Sequence, residues 1–84
     1  MNPTPDQIRT IRLASGLTQA ASAALIYAAD RTWRQWEAGD AAMPRAAVEL
    51  WCLALVRGGR LSGGPLVQAW VRPELLECVQ QCAN

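Results

Sequence analysis

Residues 17–39, LTQAASAALIYAADRTWRQWEAG, place apolar side chains at helical spacing in two short blocks separated by a tight turn. The first block reads as a helix from about Thr18 to Ile26 that turns Ser22, Ala23 and Ile26 inward. The second reads as a helix from about Asp30 to Ala38, in which Trp33 and Trp36, three residues apart, share one face. Thr18 suits an N-cap, because its hydroxyl can accept a hydrogen bond from an orphan backbone N–H of the first turn. Gly39 suits a stop just past the second helix, where a left-handed conformation costs glycine nothing.

Toward the N-terminus, Met1 to Pro5 is a short polar arm with two prolines, and Thr4-Pro5-Asp6-Gln7 has the form of a helix start. It combines a capping hydroxyl, a proline at the first helical position and an acid in the first turn. That helix is expected to run to Ser15 with Ile8 and Ile11 inward; Gly16 ends it and Leu17 returns the chain to the core. Toward the C-terminus, a loop over Asp40–Met43 leads to Pro44, read as a first-turn proline of a helix reaching Arg57. Val48, Trp51 and Leu55 form one stripe there, while Leu50, Leu53, Ala54 and Val56 leave little polar face. A helix apolar on most sides must be buried on most sides, so this one predicts packing against the C-terminal tail or against a second chain. Residues 57–64, RGGRLSGG, are the linker-like stretch. The next segment, PLVQAWV, fits either a helix or an edge strand over 66–71. Pro73 opens a clearer helix, PELLECVQQCA, with Leu75, Leu76 and Val79 apolar. No internal repeat is visible. The division is therefore 1–57 and a C-terminal extension, 58–84, within one domain.

Eighty-four residues suffice for a single helical core but not for a catalytic domain plus a regulatory one. No apolar run is long enough to span a bilayer, and the N-terminus lacks the basic-then-apolar pattern of a signal peptide. Cys52, Cys78 and Cys82 are odd in number and accompanied by no histidine, which points to a reducing cytoplasm rather than a disulfide framework. Cys78 and Cys82 have an i, i+4 spacing that can bind metal, but without a further ligand pair the reading is ordinary packing and no metal. An enzyme is not expected: there is no histidine, no phosphate-cradling glycine loop, and the seven acids are dispersed. No cofactor is expected either. The net charge is +1, with all eight cations arginine, so any attraction for a polyanion has to be local. Arg31 and Arg34 supply it, helped by Arg9 or Arg45.

Two helices joined by a three- or four-residue turn make a helix-turn-helix, whose second helix can enter the DNA major groove. Arg31, Arg34 and Gln35 lie on the outward face of that second helix. Arginine can bond guanine O6 and N7 together, and glutamine adenine N6 and N7. A solvated helix face is the plain alternative. Thr18 and Gln19 stand at a helix N-terminus, where N–H groups and the helix dipole favour a phosphate; simple capping by Thr18 is compatible with that.

Thr18-Gln19, Ala23, Thr32-Trp33, Trp36-Glu37 and Gly39, in register and without a gap, resemble the lambda-repressor-like (Cro/XRE-type) helix-turn-helix family. The resemblance reaches back to Ile8, Arg12 and Gly16 and forward to Met43-Pro44, covering roughly Ile8 to Leu55. It implies an all-α fold with a five-helix core. It also implies base contact at Asp30, Arg31, Arg34 and Gln35, a place for Thr32 on the same interface, a base-proximal Gln19, and an Arg45 approaching the DNA backbone or minor groove. A free surface arginine is the alternative for Arg45. The same resemblance implies a structural ion pair between Arg12 and Glu37. The chain departs from the family pattern at Tyr27, where glycine is usual; at Ala29, where a capping Ser or Thr is usual; and at Ser22, where leucine is usual. The loop Asp40-Ala41-Ala42 replaces the family's frequent lysines. Asp30 can accept from cytosine N4, pair with Arg34 one turn later, or cap the second helix.

The expectation is a cytoplasmic homodimeric repressor reading an inverted-repeat operator in double-stranded DNA, of a phage, anti-defence or mobile-element kind. Trp51, Leu55, Trp70, Leu75, Leu76 and Val79 are the expected dimer interface, with Trp70 foremost because its ring supplies area. Two alternatives stand beside this: an antitoxin whose tail binds a toxin, and a helical interaction module without DNA binding.

Overall fold

The computed structural model describes residues 2–61 and 64–82, with side chains described as far as residue 78. The described residues are helical and contain no strand: α1 (Pro5–Ser15), α2 (Gln19–Leu25), α3 (Asp30–Ala38), α4 (Arg45–Arg57), α5 (Pro65–Gln68) and α6 (Pro73–Cys82). Residues 62 and 63 of the linker-like stretch lie outside the described residues. No helix among those described is long and apolar enough to cross a membrane.

Local chemistry sets the boundaries. Thr4 and Gln7 close a reciprocal capping box: the Gln7 amide donates to Thr4 Oγ1 at 3.2 Å, and the Thr4 amide to Gln7 Oε1 at 2.8 Å. Gly16, at φ +74°, ends α1 in the left-handed region. Thr18 caps α2 by accepting from the Ala21 amide at 3.0 Å. Residues 26–29 then turn the chain into α3. Within that turn Tyr27 adopts φ +59° with its side chain 97% exposed, a left-handed position held by a bulky residue at a cost of about 1 kcal/mol. Two boundaries differ from expectation. Asp30 does not cap α3; Ala29 precedes the helix without a side-chain cap, and Asp30 sits in the first turn. Pro44 is not a first-turn residue of α4 but the N-cap itself, in extended backbone.

The core is centred on Trp33, which meets Trp51 edge-on at 4.6 Å between ring centroids and Trp36 at 5.5 Å. Such T-shaped pairs add about 1 kcal/mol beyond the area they bury. Ile8 and Ile11 of α1, Ala23 of α2, Met43 of the loop, and Val48, Cys52 and Leu55 of α4 complete it. α3 packs on both α1 and α2, and α6 folds back along α4. Burial pushes the Cys52 thiol up to about 12. Two buried polar atoms, Ser22 Oγ and Trp51 Nε1, have no hydrogen-bond partner among the described residues.

The C-terminal extension decides one open reading and corrects one expectation. The segment PLVQAWV is not an edge strand: α5 and the turn after it bury Val67, Trp70 and Val71, at helical spacing. Trp51, Leu55, Trp70 and Leu76 do not present surface to a second chain. They are between 0% and 7% exposed within the chain's own core, Trp51 against Trp33 of α3, with α6 packed along α4. Leu75 is half-buried against the same core, and the side chain of Val79 lies outside the described residues. Leu50, on the uncovered side of α4, stays 51% exposed.

Candidate functional site

The outward face of α3 is built by anchoring the inward one. Trp33, Trp36 and Glu37 are buried, which fixes the rotation of the helix about its axis and leaves Asp30, Arg31 and Arg34 exposed with Thr32 and Gln35 half-buried. Glu37, only 3% exposed, gathers donors from three directions. Arg12 grips it bidentately, Nε to Oε2 at 2.6 Å and Nη2 to Oε1 at 3.0 Å. Trp33 donates its indole N–H to Oε2 at 2.6 Å, one turn back on α3. Arg9 approaches Oε1 at 3.7 Å and donates to the Glu37 carbonyl at 3.3 Å. Burial alone would raise the Glu37 carboxyl, but the hydrogen bonds from Arg12, Trp33 and Gln19 and the Arg12 charge outweigh it and hold the group below its ordinary 4.5. α1 is thereby tied to the C-terminal end of α3, as the Arg12–Glu37 expectation required.

The exposed face carries a second, looser pair. Arg34 Nη2 stands 3.4 Å from Asp30 Oδ2, so of the three roles open to Asp30 the structure shows the one-turn pairing. Arg31 makes no ion pair with any described residue. Gln19, half-buried at the start of α2, lies close enough to Glu37 for its side chain to help lower that carboxyl, the smallest of the contributions that do so. Thr18 is exposed and spends its hydroxyl on the cap.

Arg45, at the start of α4, is exposed, and its guanidinium lies 5.2 Å from the centroid of the Trp70 ring. One turn on, Glu49 is taken up by Arg72: the Arg72 amide and Nε both reach Oε2, at 3.0 and 3.2 Å, and Nη2 reaches Oε1 at 3.2 Å. The Arg72 amide, then its guanidinium, hold the Glu49 carboxyl below 4.5 against a smaller opposing effect of burial. Sequence reasoning missed both contacts, since partners more than twenty positions apart leave no periodic signal. The Trp33–Glu37 bond, at i, i+4 within α3, was open to discovery from spacing alone.

An apolar cleft of about 310 Å³ lies between α1 and α5, lined by Thr10, Ile11, Leu66, Ala69 and Trp70 with Asp6 and Gln7 at its edge. Among the described residues no three metal-ligating side chains cluster.

The class these observations define is a small all-helical protein whose third helix is clamped on one side and presents arginine on the other. No family model matches the chain, and neither a curated protein nor a solved structure does.

Proposed function

We propose that the chain is a duplex-DNA-binding transcriptional regulator with a lambda-repressor-like arrangement in its first 57 residues, acting as a homodimeric repressor on an inverted-repeat operator. The observation that carries this reading is the two-sidedness of α3. Its inner face is immobilised by Trp33, Trp36 and the Glu37 cluster, while Arg31 and Arg34 are exposed and Gln35 is half-buried, residue types that can bond base edges. α2 precedes it across a four-residue turn, as a major-groove reader requires. Thr32 and the α2 start at Thr18 flank this face, and Arg45 provides a phosphate contact from α4. In this reading the protein works by binding in the cytoplasm, not by catalysis.

One small helix reads few base pairs, so two copies of α3 set one helical turn apart supply the specificity. Because Trp51, Leu55, Trp70 and Leu76 are buried within the chain, the pairing surface in this reading comes from exposed apolar residues such as Leu13, Leu50 and Leu66.

A second reading, an interaction module that does not bind DNA, is favoured by the Asp30–Arg34 pair, which sets a carboxylate in the middle of the reading face. A titration of labelled DNA from the gene's own upstream region against a shuffled duplex, at two salt concentrations, decides between them. Preference for the native fragment that is lost in Arg34→Ala supports the repressor. No binding to either duplex at low salt overturns it.

A further inference from the structure

Arg45 and Glu49 are one helical turn apart on α4, a spacing at which an arginine and a glutamate ordinarily pair with each other. Here they do not. Both Glu49 oxygens are occupied by Arg72, and Arg45 lies over the ring of Trp70. Both competing partners belong to the stretch joining α5 to α6, which Val67, Trp70 and Val71 anchor in the core. A guanidinium held over an aromatic ring by its charge still has five N–H donors to offer. Arg45 is exposed and makes no ion pair with any described residue, so those donors are open to a further acceptor.

We propose that the C-terminal extension prepares Arg45 for a duplex phosphate: Trp70 backs its guanidinium, and Arg72 removes Glu49 as a competing acceptor. Trp70 and Arg72 are positioning residues in this arrangement, and Arg45 is the contact. The inference rests on the DNA-binding reading and assigns the extension a part in it that no base-reading residue shares. The contact thus lies before the linker and the residues that position it lie after it.

Phosphate contacts are sequence-neutral, so the test does not need the operator. The full chain is titrated with a mixed-sequence duplex of 20 base pairs over a series of salt concentrations. Arg45→Ala is expected to weaken binding about tenfold and to reduce the salt slope by about one. Arg72→Ala, a change on the exposed surface, is expected to reproduce most of that loss by freeing Glu49 to capture Arg45. The double variant Glu49→Gln/Arg72→Ala regains wild-type affinity, and Arg72→Ala in an Arg45→Ala background has no further effect. Arg45→Lys keeps the charge but gives up the planar stack, and falls between wild type and Arg45→Ala.

Wild-type affinity in Arg72→Ala, or a loss that Glu49→Gln fails to restore, overturns the proposal. Loss of binding in Arg31→Ala and Arg34→Ala with wild-type binding in Arg45→Ala overturns it too, while the DNA-binding reading survives. Absence of any duplex binding by the wild type overturns both.

Discussion

α3 carries two carboxylates seven residues apart, and their surroundings could hardly differ more. Glu37 is sealed beneath Arg12, Trp33 and Gln19, with its arginine partner 15% exposed. Asp30 is 48% exposed and faces an Arg34 that is 61% exposed, at a distance already long for a hydrogen bond. The first pair holds because neither partner has water to turn to. The second is an exchangeable contact in high dielectric, where either side chain can leave for another partner at little cost. One helix thus uses the same chemistry at its C-terminal end to fix itself and at its N-terminal end to stay available.

The contrast breaks most readily at Arg12. Arg12→Ala leaves Glu37 buried without its main counter-charge and is expected to cost about 3 kcal/mol in urea unfolding; a cost no larger than that of an exposed pair would erase the distinction. Acid tests the same group. Because the Glu37 carboxyl is lowered on folding, its contribution is complete above 4.5, the ordinary value, and is lost as pH falls through the lower folded value. Stability of the wild type should therefore decline below pH 4.5, and the decline should be shallower in Glu37→Gln.

Next in size is Arg34→Ala, expected to lower affinity for the native upstream DNA about tenfold while leaving the urea midpoint where it is. A shift in that midpoint would mean that the outer face is structural after all. Tyr27→Gly comes third: relief of the left-handed tyrosine should raise stability by about 1 kcal/mol, read from the same urea curves, and an unchanged or lowered midpoint would show that the tyrosine is not strained. Smallest is Asp30→Asn. It should leave stability unchanged and strengthen binding to any duplex about threefold by removing a charge that repels phosphates. Weaker binding would instead make Asp30 a base contact.

Much of this architecture could be read from residue order, and the parts that could not have a common cause. The span of α3, the inward Trp33 and Trp36 and the stop at Gly39 are consequences of neighbours within a few positions, whereas Tyr27 stood out only because the resembling family has glycine there. Those interactions repeat with the helical period, so a single sequence carries them. The fate of Trp51, Leu55, Trp70 and Leu76 is another matter. Their apolar character requires burial but does not say against what, and the chain's own core supplied the cover that a second copy was expected to provide. Nothing in residue order showed that Gln19, expected near the DNA, also lies close enough to Glu37, eighteen residues away, to help lower that carboxyl. The stacking of Arg45 on Trp70 joins segments on opposite sides of the linker. Which exposed groups carry the proposed reading face was visible as a pattern of residue types; which of them are already engaged required coordinates.

The buried thiol of Cys52 turns the molecule into its own stopwatch. With its ionisation pushed up to about 12 and no exposed surface, it offers almost no thiolate at neutral pH and no access for a reagent while α4 and its covering remain closed. Cys78 is exposed on α6 and reacts from the folded state. With the label assigned residue by residue among the three cysteines, a maleimide should reach Cys78 promptly, while its slow appearance on Cys52 counts how often the core opens. A ligand that binds only the closed form will lengthen that interval by a factor of one plus the ratio of free ligand concentration to Kd, so the same chemical clock measures binding without a label on the DNA.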